Sequence, residues 1–261
     1  MHMTDALISP AVGITMCVVS TAAVAYAVKK NVSEKKIPMM GVMGAFIFAA
    51  QMIDVAIPGT GSSGHITGGI LLAAMIGATP ALLSMSAVLI IQCLFFGDGG
   101  LLALGCNIFN LGVIPCLIVY PLVFEPLIKK NANPSKITIA SIFAVVAGLQ
   151  LGAFGVVLQT HISGVAELPF SAFAILMQSI HLIIGVAEGI VTAAILCFVL
   201  KMRPEVMECI SSRETVKHHS KGVIIAFAAI ALLGGCVLSQ FASSNPDGLE
   251  WSIERANVFE K

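Results

Sequence analysis

Two histidines and the chain terminus are the groups here with metal chemistry to offer. His2 follows Met1 directly, and a bulky second residue disfavours removal of the initiator methionine, so the Met1 α-amine is expected to persist. That amine, the amide nitrogen of residue 2 and the His2 imidazole can close fused chelate rings on one ion. His65 stands in the glycine-rich stretch PGTGSSGHITGG, Pro58–Gly69. A fourth nitrogen from His65 would complete a planar N4 set. Square-planar nitrogen ligation selects Cu(II) or Ni(II), and low-spin Co(II) is accessible. The ligands must lose protons to bind, so capture should weaken in acid. The plainer alternatives are an exposed terminal histidine and a flexible connector with an incidental one.

The elements that would have to position these groups are membrane helices. Hydrophobic residues make up 57% of the 261-residue chain and charged residues 11%, where soluble domains carry roughly 25% charged. Mean hydropathy is +0.98. Formal net charge is zero, so no basic face for nucleic acid exists. Seven scattered cysteines form no CxxC pair and suggest neither a disulfide framework nor a thiolate metal site. The N-terminus has no basic n-region of a signal peptide.

Apolar runs predict spans at about 10–28, 38–57, 101–124, 137–159, 170–200 and 222–241. Residues 66–96 as one helix would run about 46 Å, too long for a ~30 Å hydrocarbon core. A break at Pro80 is expected, giving a short arm at 66–78 and a fuller one at 80–96. The Lys- and Arg-bearing loops are 29–36, 125–136 and 201–221, whereas 58–65, 97–100 and 160–169 carry none. All basic loops fall on one side only if 66–96 makes two passes. That count gives eight passes, with the N-terminus, the His65 loop and a polar tail from Ala242 outside. Met1, His2 and His65 then share one face of the membrane.

The start MHMTDALISPAV, the loop PGTGSSGHITGG, the run FGDGGLLALGCNIFN and the later HLIIGVAEG resemble the substrate-capture subunits of nickel and cobalt energy-coupling factor transporters, the CbiM/NikM family. The resemblance covers about residues 1–203. It implies an all-α polytopic membrane protein, a seven-helix S-component-like bundle, with metal held by Met1, His2 and His65. After a cytoplasmic linker at 204–221, residues 222–261 resemble part of the small N component, whose extracytoplasmic loop carries PDGLE. One helix of that component has no counterpart here. The resemblance further implies a bacterial or archaeal cytoplasmic membrane, a transmembrane coupling (T) subunit, ATPase (A) subunits and possibly a separate N component. Ni(II) or Co(II) would be the substrate, with no covalent cofactor.

Other polar groups are weighed beside these. Asp54 could hydrogen-bond a metal-bound imidazole, or cap a helix end. Ser63 lies in the loop beside His65. Asp98 in GDGG reads as a turn residue. Asn107 and Asn110 share a helix face and line a cavity or bond between helices. His181 and Glu188 share another face and could pair, or Glu188 could contact a partner subunit. Ala23 and Ala27 would suit either a partner helix or internal packing. His161 reads as a loop residue, and His218 and His219 as a solvated cytoplasmic cluster. An enzyme alternative is a rhomboid-like serine protease, since GSSG at 61–64 matches GxSG and His181 could complete a dyad. A passive cation channel is another. No HExxH or GxxxxGK[ST] motif occurs, so zinc proteolysis and ATP hydrolysis by this chain are not supported.

Overall fold

The computed structural model describes residues 1–30, 32–129, 133–202 and 221–258. Most of it is helical. The elements are α1 (Pro10–Lys29), α2 (Ile37–Gln51), a hairpin of β1 (Val55–Ile57) and β2 (Ser62–Gly64), α3 (Gly69–Ile76) and α4 (Ala78–Ile91). They continue with α5 (Leu104–Ile128), α6 (Pro134–Ser163), α7 (Phe170–Met202), α8 (Lys221–Cys236) and α9 (Gly248–Val258). Among the described residues, five helices are long and apolar enough to cross a membrane: α1, α4 with its extension to Phe96, α5, α6 and α7. Their outward faces are oily, with Phe95, Leu122 and Ile162 at least 70% exposed. This is an all-α integral membrane protein.

The centre is α3. All eight of its residues are buried, as expected for a helix apolar all round. Gly77, at φ +93°, turns the chain from α3 into α4, a conformation that costs a side-chain-bearing residue dearly. The expected break therefore falls at Gly77, and Pro80 sits harmlessly in the first turn of α4, where no intrahelical N–H is needed. Around α3 pack α2, α4, α5, α6 and α7. Wide π-type turns from Phe109 to Phe124 accommodate Pro115 and Pro121 inside α5, because proline removes a ladder donor and crowds the preceding turn.

Two sequence expectations need correction. The second helix stops at Gln51 rather than 57, because Val55–Ile57 pairs antiparallel with Ser62–Gly64, in register Ala56 to Ser63. Gly59 and Gly61, both at positive φ, make the connecting turn possible. The polar tail carries α9, which packs on α7 and on β2. His161 belongs to the last turn of α6, its ring 4.9 Å from that of Phe170. His218, His219 and most of the 204–221 linker lie outside the described residues.

Candidate metal centre

The N-terminal segment is threaded into the bundle, not left in solvent. Met1, His2 and Met3 are all buried. Asn107 on α5 grips the main chain of Met3 twice: its Oδ1 accepts from the Met3 N–H at 2.8 Å and its Nδ2 donates to the Met3 carbonyl at 3.0 Å. The Gly100 N–H also donates to that carbonyl, at 2.9 Å. Asp5 Oδ1 accepts from the Ala103 N–H at 3.0 Å. Met3 is thus held through its main chain, and Asp5 through its carboxylate.

The same arrangement brings His2 to His65. Their rings stack with centroids 5.3 Å apart and an interplanar angle of 12°. His2 Nδ1 faces Asp98 Oδ1 at 3.2 Å, and His2 Nε2 is buried with no hydrogen-bond partner. His65 Nδ1 makes a long 3.4 Å contact to the Ile66 carbonyl, which leaves Nε2 as the nitrogen with an available lone pair. The Met1 ammonium donates to Asp247 Oδ2 at 2.6 Å. Met1, His65, His181 and Asp247 border one small cleft. Among the described residues no three His, Cys, Asp or Glu side chains converge as a metal site.

Electrostatics keep both imidazoles unprotonated. Burial, then the nearby Met1 ammonium, lower His65 to about 4. Burial, the ammonium and His65 lower His2 well below the usual histidine value. Asp247 goes the other way from a buried acid. Burial would raise it, but the Met1 ammonium and the Glu250 N–H hold it below the ordinary carboxylate range. Asp98 is raised, chiefly by burial. Neutral imidazoles can ligate without losing a proton, whereas the Met1 ammonium must give one up.

The remaining predicted groups fall in different places. Asp54 makes no hydrogen bond to either histidine. Its Oδ1 is buried and unpartnered, and burial with the nearby Asp247 charge raises it to about 6. Ser63 donates its hydroxyl to the Asn245 carbonyl at 2.8 Å, and its N–H to the Pro246 carbonyl at 2.8 Å. It holds the tail, and no dyad forms, because His181 Nδ1 contacts the Met177 carbonyl at 2.8 Å. Asn110 exchanges bonds with Gln159 between α5 and α6, at 2.8 and 3.2 Å, and touches the small cavity beside Met1. Ala27 is fully buried against the bundle and Ala23 half-buried, so this pair packs inward. Glu188 faces the interior at 3% exposure, bonded to Thr67 and Gly68, and does not pair with His181.

Sequence reasoning missed Asp247 and underrated Asp98. The PDGLE string was visible, but nothing in it says that its aspartate reaches residue 1. Asp98 read as a turn residue because GDGG satisfies a turn without needing a second role.

A family model described as the cobalt uptake substrate-specific transmembrane region, CbiM, matches residues 2–206. This chain belongs to that family. A PDGLE domain model matches residues 221–261. A protein of Archaeoglobus fulgidus named as a fused nickel transport protein, NikMN, is 32% identical over 218 residues, 80% of this chain and 68% of that one. A protein of Methanocorpusculum labreanum named as a cobalt transport protein, CbiM 1, is 30% identical over 176 residues, 66% of this chain and 74% of that one. A solved structure described as a transition metal transporter is similar with a TM-score of 0.67 at 27% identity, covering 82% of this chain and 99% of the other. This CbiM-family chain is thus a membrane component of metal transport with a fused PDGLE segment, and not an enzyme.

Proposed function

We propose that this chain captures Ni(II) or Co(II) from outside the cytoplasmic membrane, in a planar set of four nitrogens. These are the Met1 amine, the His2 amide, the His2 imidazole and a His65 nitrogen. The observation that carries the reading is the stack of the buried His2 on the half-buried His65 at 5.3 Å, beside the Met1 nitrogen. Two imidazoles bound side by side to one ion, with metal–nitrogen distances of ~2 Å, have ring centroids about 4–5 Å apart, so little closure is needed. The fused chelate uses His2 Nδ1, which here faces Asp98. Capture therefore includes a turn of that ring and release of Met1 from Asp247.

In this reading residues 1–203 form the capture domain, 204–221 a cytoplasmic linker and 222–261 a built-in N-component segment. The N-terminus, the hairpin and α9 face outward, and the whole makes eight passes. A transmembrane coupling subunit and ATPase subunits reorient the loaded chain, and metal leaves to the cytoplasm.

The test is metal binding by the purified full chain with its own N-terminus. His2→Ala, His65→Ala and acetylation of Met1 should each lower Ni(II) affinity by at least a hundredfold. X-ray absorption of the loaded parent should show four nitrogen neighbours and no sulfur. Unchanged affinity across the three changes would sink the reading.

A further inference from the structure

The loop that carries His65 is fixed by a carboxylate that belongs to neither the loop nor the metal set. We propose that Glu188 is the positioning residue of the site: it clamps the Thr67–Gly68 segment to α7 and so sets where His65 stands. This rests on the metal-capture reading above and deepens it.

The clamp is complete in its hydrogen bonding. Glu188 Oε2 accepts the Thr67 N–H at 2.8 Å and Oε1 accepts the Gly68 N–H at 2.8 Å. The Thr67 hydroxyl donates to the same carboxylate at 2.9 and 3.0 Å. On the other side, Gln51 Nε2 of α2 donates to the Thr67 carbonyl at 2.7 Å. Gln92 Nε2, at the end of α4, donates to Gln51 Oε1 at 2.8 Å. The segment is thus tied to α7 through its N–H groups and to α2 and α4 through its carbonyl.

Helix chemistry explains why an acid is needed. Gly68 caps α3 with φ +79° and offers no side chain to the free N–H groups there. Buried helix N-termini require acceptors, and a carboxylate also suits the positive end of the dipole. Glu188, brought in from 120 residues away, takes that part. The contact continues toward His65: a Cβ on Gly64 would lie 2.9 Å from Ile184, one turn before Glu188 on α7. The segment thus meets α7 at Gly64 and again at Thr67–Gly68, with His65 between the two contacts. An amide at position 188 would present N–H to N–H on one of the two donors, so Glu188→Gln breaks the clamp while keeping its shape.

The experiment uses the full chain in detergent with its native N-terminus and Cu(II) as probe. Cu(II) binds nitrogen sites most tightly among these ions, and the Met1–His2 chelate still holds it without His65. Glu188→Gln is expected to weaken Cu(II) binding 10–100-fold, the usual effect of losing an outer-shell partner. In a His65→Ala background the same change should cost less than threefold, because no His65 remains to be positioned. Hydrogen exchange at Thr67 and Gly68 should rise at least tenfold in Glu188→Gln. Should that variant not fold, Glu188→Asp, with its oxygens drawn back by one methylene, is expected to show an intermediate loss. Affinity within threefold of the parent in the variant that folds overturns the proposal. An equal loss in both backgrounds also overturns it, since that marks general helix packing. A His65→Ala protein that binds like the parent overturns the metal reading, while the exchange rates still report whether Glu188 holds the loop.

Discussion

Asp247→Asn separates the two jobs of Asp247 atom by atom. Oδ1 caps α9, accepting from the N–H groups of Leu249 at 2.9 Å and Glu250 at 2.8 Å. Oδ2 alone holds the Met1 ammonium. Asparagine keeps the cap, since its carbonyl can take both N–H bonds, and turns an N–H pair toward the ammonium instead. A hydrogen bond between charged groups contributes about 1.5–3 kcal/mol, and all of it must be given up when the Met1 nitrogen ligates a metal. Against this, the freed terminus gains backbone entropy, about 1–2 kcal/mol for one residue. That loss lies at the low end, because the Met1 side chain stays buried among Ile70, Leu111, Val145 and Leu149 and the Met3 main chain keeps its three bonds. The difference favours binding by about 0.5–2 kcal/mol, or roughly two- to thirtyfold at 1.4 kcal/mol per decade. Isothermal titration with Ni(II) at pH 7.5, with native N-terminus, measures it. Tighter binding by that factor, with unchanged melting of α9, is expected. Weaker binding would refute the reasoning, because it would mean that Asp247 serves the loaded site rather than competes with it.

Three further outcomes follow from the same geometry. Asn107→Ala leaves the Met3 N–H unsatisfied and strips one of two bonds from its carbonyl, a loss of about 2–4 kcal/mol that should lower the melting temperature and weaken Ni(II) binding; a wild-type melting curve would contradict it. Asp54 sits at about 6 against 3.8 when free, so the folded chain binds more protons between those values and loses stability as pH rises through them. Discounted for its partial exposure, that is about 1–2 kcal/mol, and Asp54→Asn should melt a few degrees higher at pH 7.5 and no differently at pH 3.5; equal shifts at both would argue against the charge. With His65 already at about 4, imidazole protons no longer compete above pH 6, so Ni(II) affinity between pH 6 and 7.5 should rise with about two protons released per ion, one from the ammonium and one from the His2 amide. Release of only one proton per ion there would exclude the amide as a ligand.

The helices were legible because bilayer depth leaves few choices: a run of some twenty apolar residues must satisfy its backbone internally. The division of 66–96 was legible from charge sidedness, yet its turn was placed at Pro80 when Gly77 makes it. Proline marks where a helix cannot continue, whereas only positive φ marks where it reverses, and φ is not written in the sequence. The meeting of His2 and His65 was legible as a shared side of the membrane, and not as a stack. Glu188 read as a partner contact because a lone acid on an apolar helix has no visible mate 120 residues away. Asp247 escaped for the same reason: the ammonium of residue 1 and a carboxylate of the tail are brought together by folding, and no local spacing announces them.

The physical logic of the site runs from the bottom of the bundle outward. An apolar helix as short as α3 is marginal alone, and burial on every face makes it the anchor of the fold. The N–H of its capping Gly68 and that of Thr67 before it need an acceptor at depth, which Glu188 supplies, and that demand fixes the segment just after His65. On the facing side, Asn107 fixes the segment just after His2 through Met3. Each candidate ligand is thus set by a polar grip one or two residues downstream on a different helix, α7 for one and α5 for the other. The grips leave the imidazoles and the amine free of hydrogen bonds to the rigid spans. What does hold them, Asp98 on His2 and Asp247 on Met1, comes from a turn and a tail. A site built this way keeps its ligands in register through the buried main chain, and leaves its two carboxylates as the parts that can exchange for an ion.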